Sequence, residues 1–374
     1  MKCPNCNFEV AENTKFCPEC GTKMPENNEE VIQLNEIVID DTKEEKTETS
    51  GKKFKKAVIF KNKKTTILIS IVSGVIVLVG LLLYFVAYPL IAQANGDYSV
   101  IIEMYDIKEY KIPDGTTEIN KGDFGYNHTI TKVIIPNSVT HIGDRAFAYF
   151  KNLETVEISS SVVSIGEEAF YECENLKSIY GFENLTTIGK RAFTKCISLE
   201  TIYLNDNLIS IGERAFYECG SLKGITIPDS VTSVGESAFS ACKQLGWASL
   251  GKGLTSIPDY MFSSCENLMA VKIPDTVVSI GYAAFHSCNI FDLEIPEGVT
   301  HIGSAAFSWN EDMIAIVLPK SLRTIEQTAF FKCGLNEGIY YAGTKNDWNR
   351  INIDWNLNDV LKQAHIYYNY VPSY

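Results

Sequence analysis

The stretch LKGITIPDSVTSVGESAFSAC, residues 222–242, is one copy of a phrase that recurs along most of the chain. Its most regular part, Ile-Gly-x-x-Ala-Phe-x-x-Cys, returns every 23 residues except for one step of 22. A strict period of this length indicates a solenoid, in which each repeat packs on its neighbours, rather than a globular enzyme. A weaker copy with Ile119 and Phe124 precedes the series and predicts an N-terminal cap. The register is set by Phe147, Phe170, Phe193, Phe216, Phe239, Phe262, Phe285, Phe307 and Phe330.

Each repeat contains the pattern of one strand followed by a compact turn. Ile225 and Ile227 alternate with polar residues, which is the period of a β-strand, and Pro228 ends the pairing because it has no N–H to donate. The segment Ser237–Cys242 is apolar on one side and is predicted to form a helical or 3₁₀ turn. We therefore expect an α/β repeat fold, a curved right-handed solenoid with one strand per repeat. Ten strands spaced by about 4.8 Å would make a sheet roughly 48 Å long.

These motifs resemble the BspA-like class of leucine-rich repeats, whose phrase is Leu-x-x-Ile-x-Ile-Pro-x-x-Val-x-x-Ile-Gly-x-x-Ala-Phe-x-x-Cys. The resemblance covers Ile112 to Tyr341, with a solenoid predicted over residues 97–338 and a C-terminal cap over 339–374. Two departures are that Asn310 replaces the cysteine and that one residue is missing after Cys288. The resemblance implies a bacterial surface protein whose solenoid binds other molecules, often for attachment to hosts or neighbouring cells.

The cysteines fall into two groups with different predicted roles. Seven of the 11 lie three residues after a repeat phenylalanine and are predicted to be small buried core residues rather than disulfides, because their parallel directions oppose the torsion of a disulfide. They are Cys173, Cys196, Cys219, Cys242, Cys265, Cys288 and Cys333.

The remaining cysteines, Cys3, Cys6, Cys17 and Cys20, form two Cys-x-x-Cys pairs separated by ten residues. Four thiolates can close a tetrahedron around Zn²⁺, and a segment this short has little other means of folding. The pattern resembles a short zinc ribbon over residues 1–25, with a structural zinc ion. A redox role would need a βαβ context that the sequence lacks. Because lysines and glutamates balance in this segment, we expect a protein contact rather than nucleic-acid binding.

Between the ribbon and the solenoid, the sequence predicts a linker and a membrane anchor. Residues 26–64 are predicted to be a disordered linker, first acidic and then basic, and residues 65–92 a single transmembrane helix. Seven lysines precede this apolar run and the first basic residue after it is Lys108, so the N-terminus is predicted to be cytoplasmic and the solenoid extracellular. A signal peptide cleaved after Ala92-Gln93-Ala94 is the alternative reading.

No motif for catalysis stands out in the sequence, and we predict that the protein is not an enzyme. The formal net charge of −13 belongs to the part after Lys64, which disfavours nucleic acid and anionic polymers as ligands. The candidate ligand-binding residues face outward from the predicted strands, and the expected partner is a protein or a glycan. They are Glu157, Tyr180, Tyr203, Trp247 and Lys272.

Two functions stay open at this point. The first is a surface-displayed binding or adhesion protein. The second is a transmembrane sensor that couples an extracellular ligand to a contact of the cytoplasmic ribbon. A tyrosine cluster near the C-terminus is the alternative binding site, formed by Tyr367, Tyr368 and Tyr370.

Overall fold

The computed structural model describes residues 56–62, 65–71, 107–124 and 127–371. The chain divides into two compact units, Met1–Gly96 and Asp97–Tyr374. The predicted zinc-ribbon cysteines lie outside the described residues. So do residues 72–92 of the predicted transmembrane helix, for which the span stays a prediction.

The described part of the first unit is a β-hairpin. Lys56–Asn62 pairs antiparallel with Thr65–Ile71, with Lys56 opposite Ile71 and Asn62 opposite Thr65. Both segments are rich in β-branched residues, which favour a pleated strand. The sequence placed the first strand in a disordered linker and the second at the start of a helix, so both assignments differ from the structure at these residues. No helix in the described part of the chain is long and apolar enough to span a membrane.

The second unit is a parallel solenoid of about 11 turns, which confirms the predicted repeat architecture. It contains two ladders of parallel strands, whereas the sequence analysis predicted one strand per repeat. The first ladder is built from the residues before the proline position, such as Gly224–Thr226. The second ladder is built from the two residues before the repeat glycine, such as Ser233–Val234.

The strands of the first ladder form three consecutive groups. The first group is Glu109–Lys111, Lys132–Ile134, Thr155–Glu157 and Ser178–Tyr180. Residues 201–205 form no strand, and pairing resumes with Gly224–Thr226, Trp247–Ser249 and Ala270–Lys272. The last group is Asp292–Glu294, Ala315–Leu318, Gly338–Tyr341 and Ile366–Tyr368, so the ladder continues into the predicted C-terminal cap.

The second ladder runs beside the repeat glycines in two groups of two-residue strands. The first group is Glu118–Ile119, His141–Ile142, Ser164–Ile165, Thr187–Ile188, Ser210–Ile211 and Ser233–Val234. The second group is Ser256–Ile257, Ser279–Ile280, His301–Ile302, Thr324–Ile325 and Asn352–Ile353. A Cβ atom added at Gly189 would lie 2.5 Å from the carbonyl carbon of Gly166. Glycine is needed there because the backbones of adjacent repeats touch.

The segment after the glycine is a series of turns rather than the predicted helical turn. Two non-glycine residues in each repeat have a positive φ, for example Glu168 at 55° and Glu172 at 55°. This conformation is costly for a residue with a Cβ atom. It directs backbone N–H groups to the next repeat, where Glu168 donates to Lys190 and Glu172 donates to Thr194, each at 2.9 Å. These hydrogen bonds offset the strain.

The repeat phenylalanines form a continuous stack through the core. From Phe124 to Phe330, successive ring centroids lie 5.1 to 5.7 Å apart with interplanar angles of at most 19°. All ten rings are buried, and this spacing lies in the range of favourable offset stacking. Each repeat therefore covers the ring of the repeat before it.

The seven repeat cysteines are free and buried, as predicted. Each thiol donates a hydrogen bond to a phenylalanine carbonyl 26 residues earlier, for example Cys219 Sγ to the Phe193 oxygen at 3.2 Å. Burial raises the pKa of six thiols, to about 12 for Cys333, which leaves them protonated and unreactive at neutral pH; they belong to Cys173, Cys196, Cys219, Cys265, Cys288 and Cys333.

Two asparagine side chains form hydrogen bonds with the backbone where the repeat is irregular or ends. Asn310 lies at a cysteine position, and its Nδ2 donates to the carbonyl oxygens of Phe285 at 2.8 Å and Phe307 at 2.7 Å. Its Oδ1 accepts from the backbone N–H of Ile290, in the shortened repeat. Asn358 Oδ1 accepts from the N–H of Phe330, the last ring of the stack. The end of the solenoid is thus closed by a side-chain amide.

The C-terminal cap adds two short helices to the last turns. Helix α1, Lys345–Trp348, begins with a capping box between Thr344 and Asp347. Helix α2, Val360–Gln363, follows. Trp348 packs edge-on against Tyr341 with ring centroids 5.3 Å apart, which covers the apolar end of the core.

The stack predicts a large loss of stability when one ring is removed. Phe216 is fully buried between Phe193 and Phe239. We expect Phe216→Ala to lower the free energy of unfolding by about 3 to 5 kcal/mol, through lost transfer energy and a cavity. Urea denaturation followed by circular dichroism measures this change. The matched control is Phe291→Ala, since the Phe291 side chain is 52% exposed. Equal effects of the two substitutions would contradict the role of the stack.

Candidate ligand-binding surface

The outward face of the first ladder is built from two columns of side chains. In each three-residue strand the middle side chain packs into the core and the two flanking ones point outward, because side chains alternate along a strand. In the strand Trp247–Ser249, for example, Ala248 is buried, while Trp247 is exposed and Ser249 half-buried. The strands are in register, so Ser249 is opposite Thr226 on one side and Lys272 on the other. The solenoid therefore displays regular outward columns.

The predicted residues Glu157 and Tyr180 lie side by side in this face. The Glu157 carboxylate pairs with Lys132 Nζ at 3.1 Å, and that lysine also contacts Glu109 at 3.0 Å. Tyr203 holds the same repeat position one turn later, within the interruption of the ladder, and is half-buried. These three residues form the N-terminal part of the predicted site.

Trp247 and Lys272 lie in neighbouring strands of the second group. A Cβ atom added at Gly224 would lie 2.2 Å from Cε2 of Trp247, so the indole ring packs flat over this glycine. The other side of the ring faces solvent, and 47% of the residue is exposed. Trp247 is thereby held in one orientation as an exposed apolar platform, one strand away from the ammonium-bearing Lys272.

An open groove runs along this face in its C-terminal half, from Asp206 to Tyr370. Its floor is the outward column that contains Thr226, Ser249, Lys272, Glu294 and Tyr340. Of the five predicted ligand-binding residues, only Lys272 lines this groove. The structure thus places the predicted residues on one face but does not gather them into one pocket.

A tyrosine cluster closes the C-terminal end of the groove. Tyr340 stacks on Tyr367 with ring centroids 4.8 Å apart and packs at 5.1 Å against Tyr370. Tyr340 and Tyr370 both line the groove. Two members of the alternative tyrosine cluster, Tyr367 and Tyr370, therefore meet Tyr340 at this end. The sequence signal was present, since Tyr340 belongs to the outward column, but the return of the chain at Tyr367 depends on the fold of the cap.

We find no candidate metal site among the described residues of the solenoid. The described residues contain no group of three or more histidine, cysteine or acidic side chains that could hold a metal ion. The predicted zinc ligands Cys3, Cys6, Cys17 and Cys20 lie outside the part of the chain that the structure describes.

The fold defines a leucine-rich-repeat solenoid with an outward ligand-sized groove. Comparison with protein families matches residues 102–209 and 244–346 to six copies of the BspA type leucine rich repeat region. These ranges cover more than half of the chain, and the chain belongs to this family. Residues 2–24 match a zinc-ribbon domain, in agreement with the predicted ribbon.

Several solved bacterial structures are similar to the chain. A leucine-rich repeat protein from Bacteroides ovatus is 28% identical to this chain, with a TM-score of 0.46. The matched region covers 56% of this chain and 63% of the Bacteroides ovatus chain. A leucine rich repeat protein from T. pallidum is also 28% identical, with a TM-score of 0.43. The matched region covers 55% of this chain and 86% of the T. pallidum chain. A leucine rich cell surface protein from Faecalibacterium prausnitzii is 27% identical, with a TM-score of 0.32. The matched region covers 67% of this chain and 92% of the Faecalibacterium prausnitzii chain. The chain spans less than two thirds of the Bacteroides ovatus protein. No curated protein matches the chain.

Proposed function

We propose that this chain is a membrane-anchored bacterial surface protein whose solenoid binds a protein or glycan ligand outside the cell. The observation that carries the proposal is the outward face of the first ladder with its open groove. Its side chains are displayed by a rigid scaffold and are not needed for the core, so they can serve recognition. A binding scaffold, rather than an enzyme, is the function that this arrangement supports.

The proposed extracellular location of the solenoid is supported by the seven lysines that precede the apolar run from residue 65. We expect external protease on intact cells to remove the solenoid and to leave a membrane fragment of about 95 residues. Immunoblotting against the N-terminal ribbon detects this fragment, and permeabilised cells are the control in which the ribbon is also digested. A mature secreted chain that begins at Asn95 would contradict the uncleaved anchor.

The binding proposal is tested with a glycan and extracellular-matrix array probed with residues 97–374. For a ligand found in this way, Tyr203→Ala is expected to weaken binding by on the order of 1 kcal/mol or more, with little change in thermal stability. The matched control is Tyr149→Ala, because Tyr149 is an exposed tyrosine in the turns outside the first ladder. Unchanged affinity after Tyr180→Ala and Tyr203→Ala together would move the site to the C-terminal tyrosines.

The match of residues 2–24 to a zinc-ribbon domain favours a second candidate function, a transmembrane sensor with a cytoplasmic ribbon contact. In it, ligand binding outside would alter a protein contact inside. A cytoplasmic partner that copurifies only with an intact ribbon would favour this function over simple adhesion.

The ribbon is proposed to hold one structural Zn²⁺ through Cys3, Cys6, Cys17 and Cys20. A peptide of residues 1–25 should bind one equivalent of zinc and lose its fold on addition of a chelator, because metal binding drives folding in such segments. Cys17→Ser should weaken zinc binding severely, whereas Thr14→Ser, which keeps all four thiols, should not. A peptide that folds without zinc would contradict the proposal.

A further inference from the structure

The residue that precedes each strand of the first ladder changes character along the solenoid. In the N-terminal half all of these residues except Thr131 are charged, and two pairs form across repeats, Lys177 Nζ with Glu154 at 2.8 Å and Lys223 Nζ with Glu200 at 2.5 Å. In the next four repeats the corresponding residues are Gly246, Met269, Phe291 and Ile314, none of which is charged, and a charge returns with Glu337 in the repeat after them. We call these four uncharged residues, together with Trp247, the apolar strip.

Three members of the apolar strip are exposed, whereas Gly246 and Ile314 are half-buried. The exposed fractions are 47% for Trp247, 55% for Met269 and 52% for Phe291. Backbone hydrogen bonds join Met269 to Gly246 at 3.0 Å and Ile314 to Phe291 at 2.9 Å, one pair on each side of the break in the first ladder between Lys272 and Asp292. Apolar side chains on adjacent repeats at this exposure are typical of an interaction surface rather than of isolated surface residues.

The apolar strip borders the groove on one side. Met269, Phe291 and Ile314 each immediately precede a residue that lines the groove, namely Ala270, Asp292 and Ala315. On the other side the groove is bounded by the turns after the prolines, which carry Asp229, Asp275 and Glu297. The edge beside the apolar strip therefore mixes apolar side chains with Asp292 and Glu337, and the opposite edge is acidic.

The groove has a strong negative charge. Seven carboxylate residues and two lysines line it, which gives a formal charge of −5. On its floor, the Oε1 atom of Glu294 is buried and accepts no hydrogen bond from the described residues. The Glu294 residue as a whole is half-buried, and its carboxylate adds to the negative charge of the groove.

Resting on the proposed binding function, we propose that this groove binds an extended, lysine- or arginine-rich segment of a partner protein that has apolar side chains along one edge. The cationic groups complement the acidic edge and Glu294, and the apolar side chains pack on the apolar strip. Anionic polymers are repelled by the charge of the groove.

The size of the groove sets the length of the segment. Six strands, from Gly224–Thr226 to Gly338–Tyr341, span about 24 Å at about 4.8 Å per strand. An extended peptide covers this length with about seven residues. A probe of about ten residues is therefore long enough to occupy the whole groove.

The test uses the full chain in detergent and three fluorescent peptides of about ten residues, with alternating Lys-Leu, Lys-Ser or Glu-Leu. Fluorescence anisotropy at two salt concentrations measures affinity. We expect the Lys-Leu peptide to bind at least about tenfold more tightly than either of the others, and more weakly at high salt. Tighter binding of the Glu-Leu peptide, or of a sulfated or neutral oligosaccharide, would overturn the proposal.

Matched variants separate the two edges of the groove. Asp229→Asn keeps the acceptor for the Lys252 N–H, and Asp144→Asn, which likewise keeps the acceptor for the Glu167 N–H but lies outside the groove, is its control. Asp229→Asn with Asp275→Asn should weaken Lys-Leu binding about fivefold and reduce its salt dependence.

For the apolar strip, Phe291→Ser should weaken binding about fivefold without changing the salt dependence. Its control is Ile197→Ser, since Ile197 is 47% exposed and lies outside the groove. Thermal melts verify that each variant is folded. Unchanged affinity in the folded groove variants would overturn the proposal.

The outcome also distinguishes this inference from the proposed function. A ligand from the array whose affinity falls in Tyr203→Ala but not in the groove variants would leave the binding function in place and reject the basic segment. Failure of every array ligand and peptide to bind would reject both.

Discussion

The stacking of one repeat on the next is the interaction on which the whole second unit depends. A single repeat has one phenylalanine and a few aliphatic residues, too few to form a core of its own. When repeats stack, each ring from Phe124 to Phe330 is covered on both sides or closed by a cap, and all are buried. The backbone supports the same spacing through hydrogen bonds between successive turns. Stability is therefore distributed along the solenoid and passes from neighbour to neighbour.

This dependence explains how the chain treats its irregularities. A stack cannot tolerate a repeat whose backbone groups lose their partners, because buried polar groups without hydrogen bonds are costly. Asn310 restores three such bonds in the shortened repeat, where a cysteine has only one thiol to offer. Asn358 does the same at the end of the phenylalanine stack. Irregular positions are thus filled by a side chain that imitates the missing peptide group.

The same construction frees the outward face of the first ladder for recognition. Since the core columns hold the repeats together, outward residues can differ between repeats without loss of the fold. In the N-terminal half, charged residues before the strands pair across repeats, as Glu154 does with Lys177. From Gly246 to Ile314, four consecutive corresponding positions are uncharged and border an acidic groove. The face therefore has two chemically different halves on one regular scaffold.

The sequence by itself determined the solenoid, because a period of 23 residues with phenylalanine and cysteine at fixed positions can be buried only by stacking. It also determined the outward residues Glu157, Tyr180, Trp247 and Lys272, since alternation in a strand depends on local periodicity alone. The second ladder and the positive-φ turns could not be predicted from the sequence, because both depend on hydrogen bonds to the neighbouring repeat rather than on the residues of one repeat. The hairpin at Lys56–Ile71 was missed because short runs of β-branched residues fit a strand or an apolar helix equally well by composition. Only the tertiary structure decided where the groove lies, since its edges come from turns, strands and the C-terminal cap that are far apart in sequence and adjacent only after stacking.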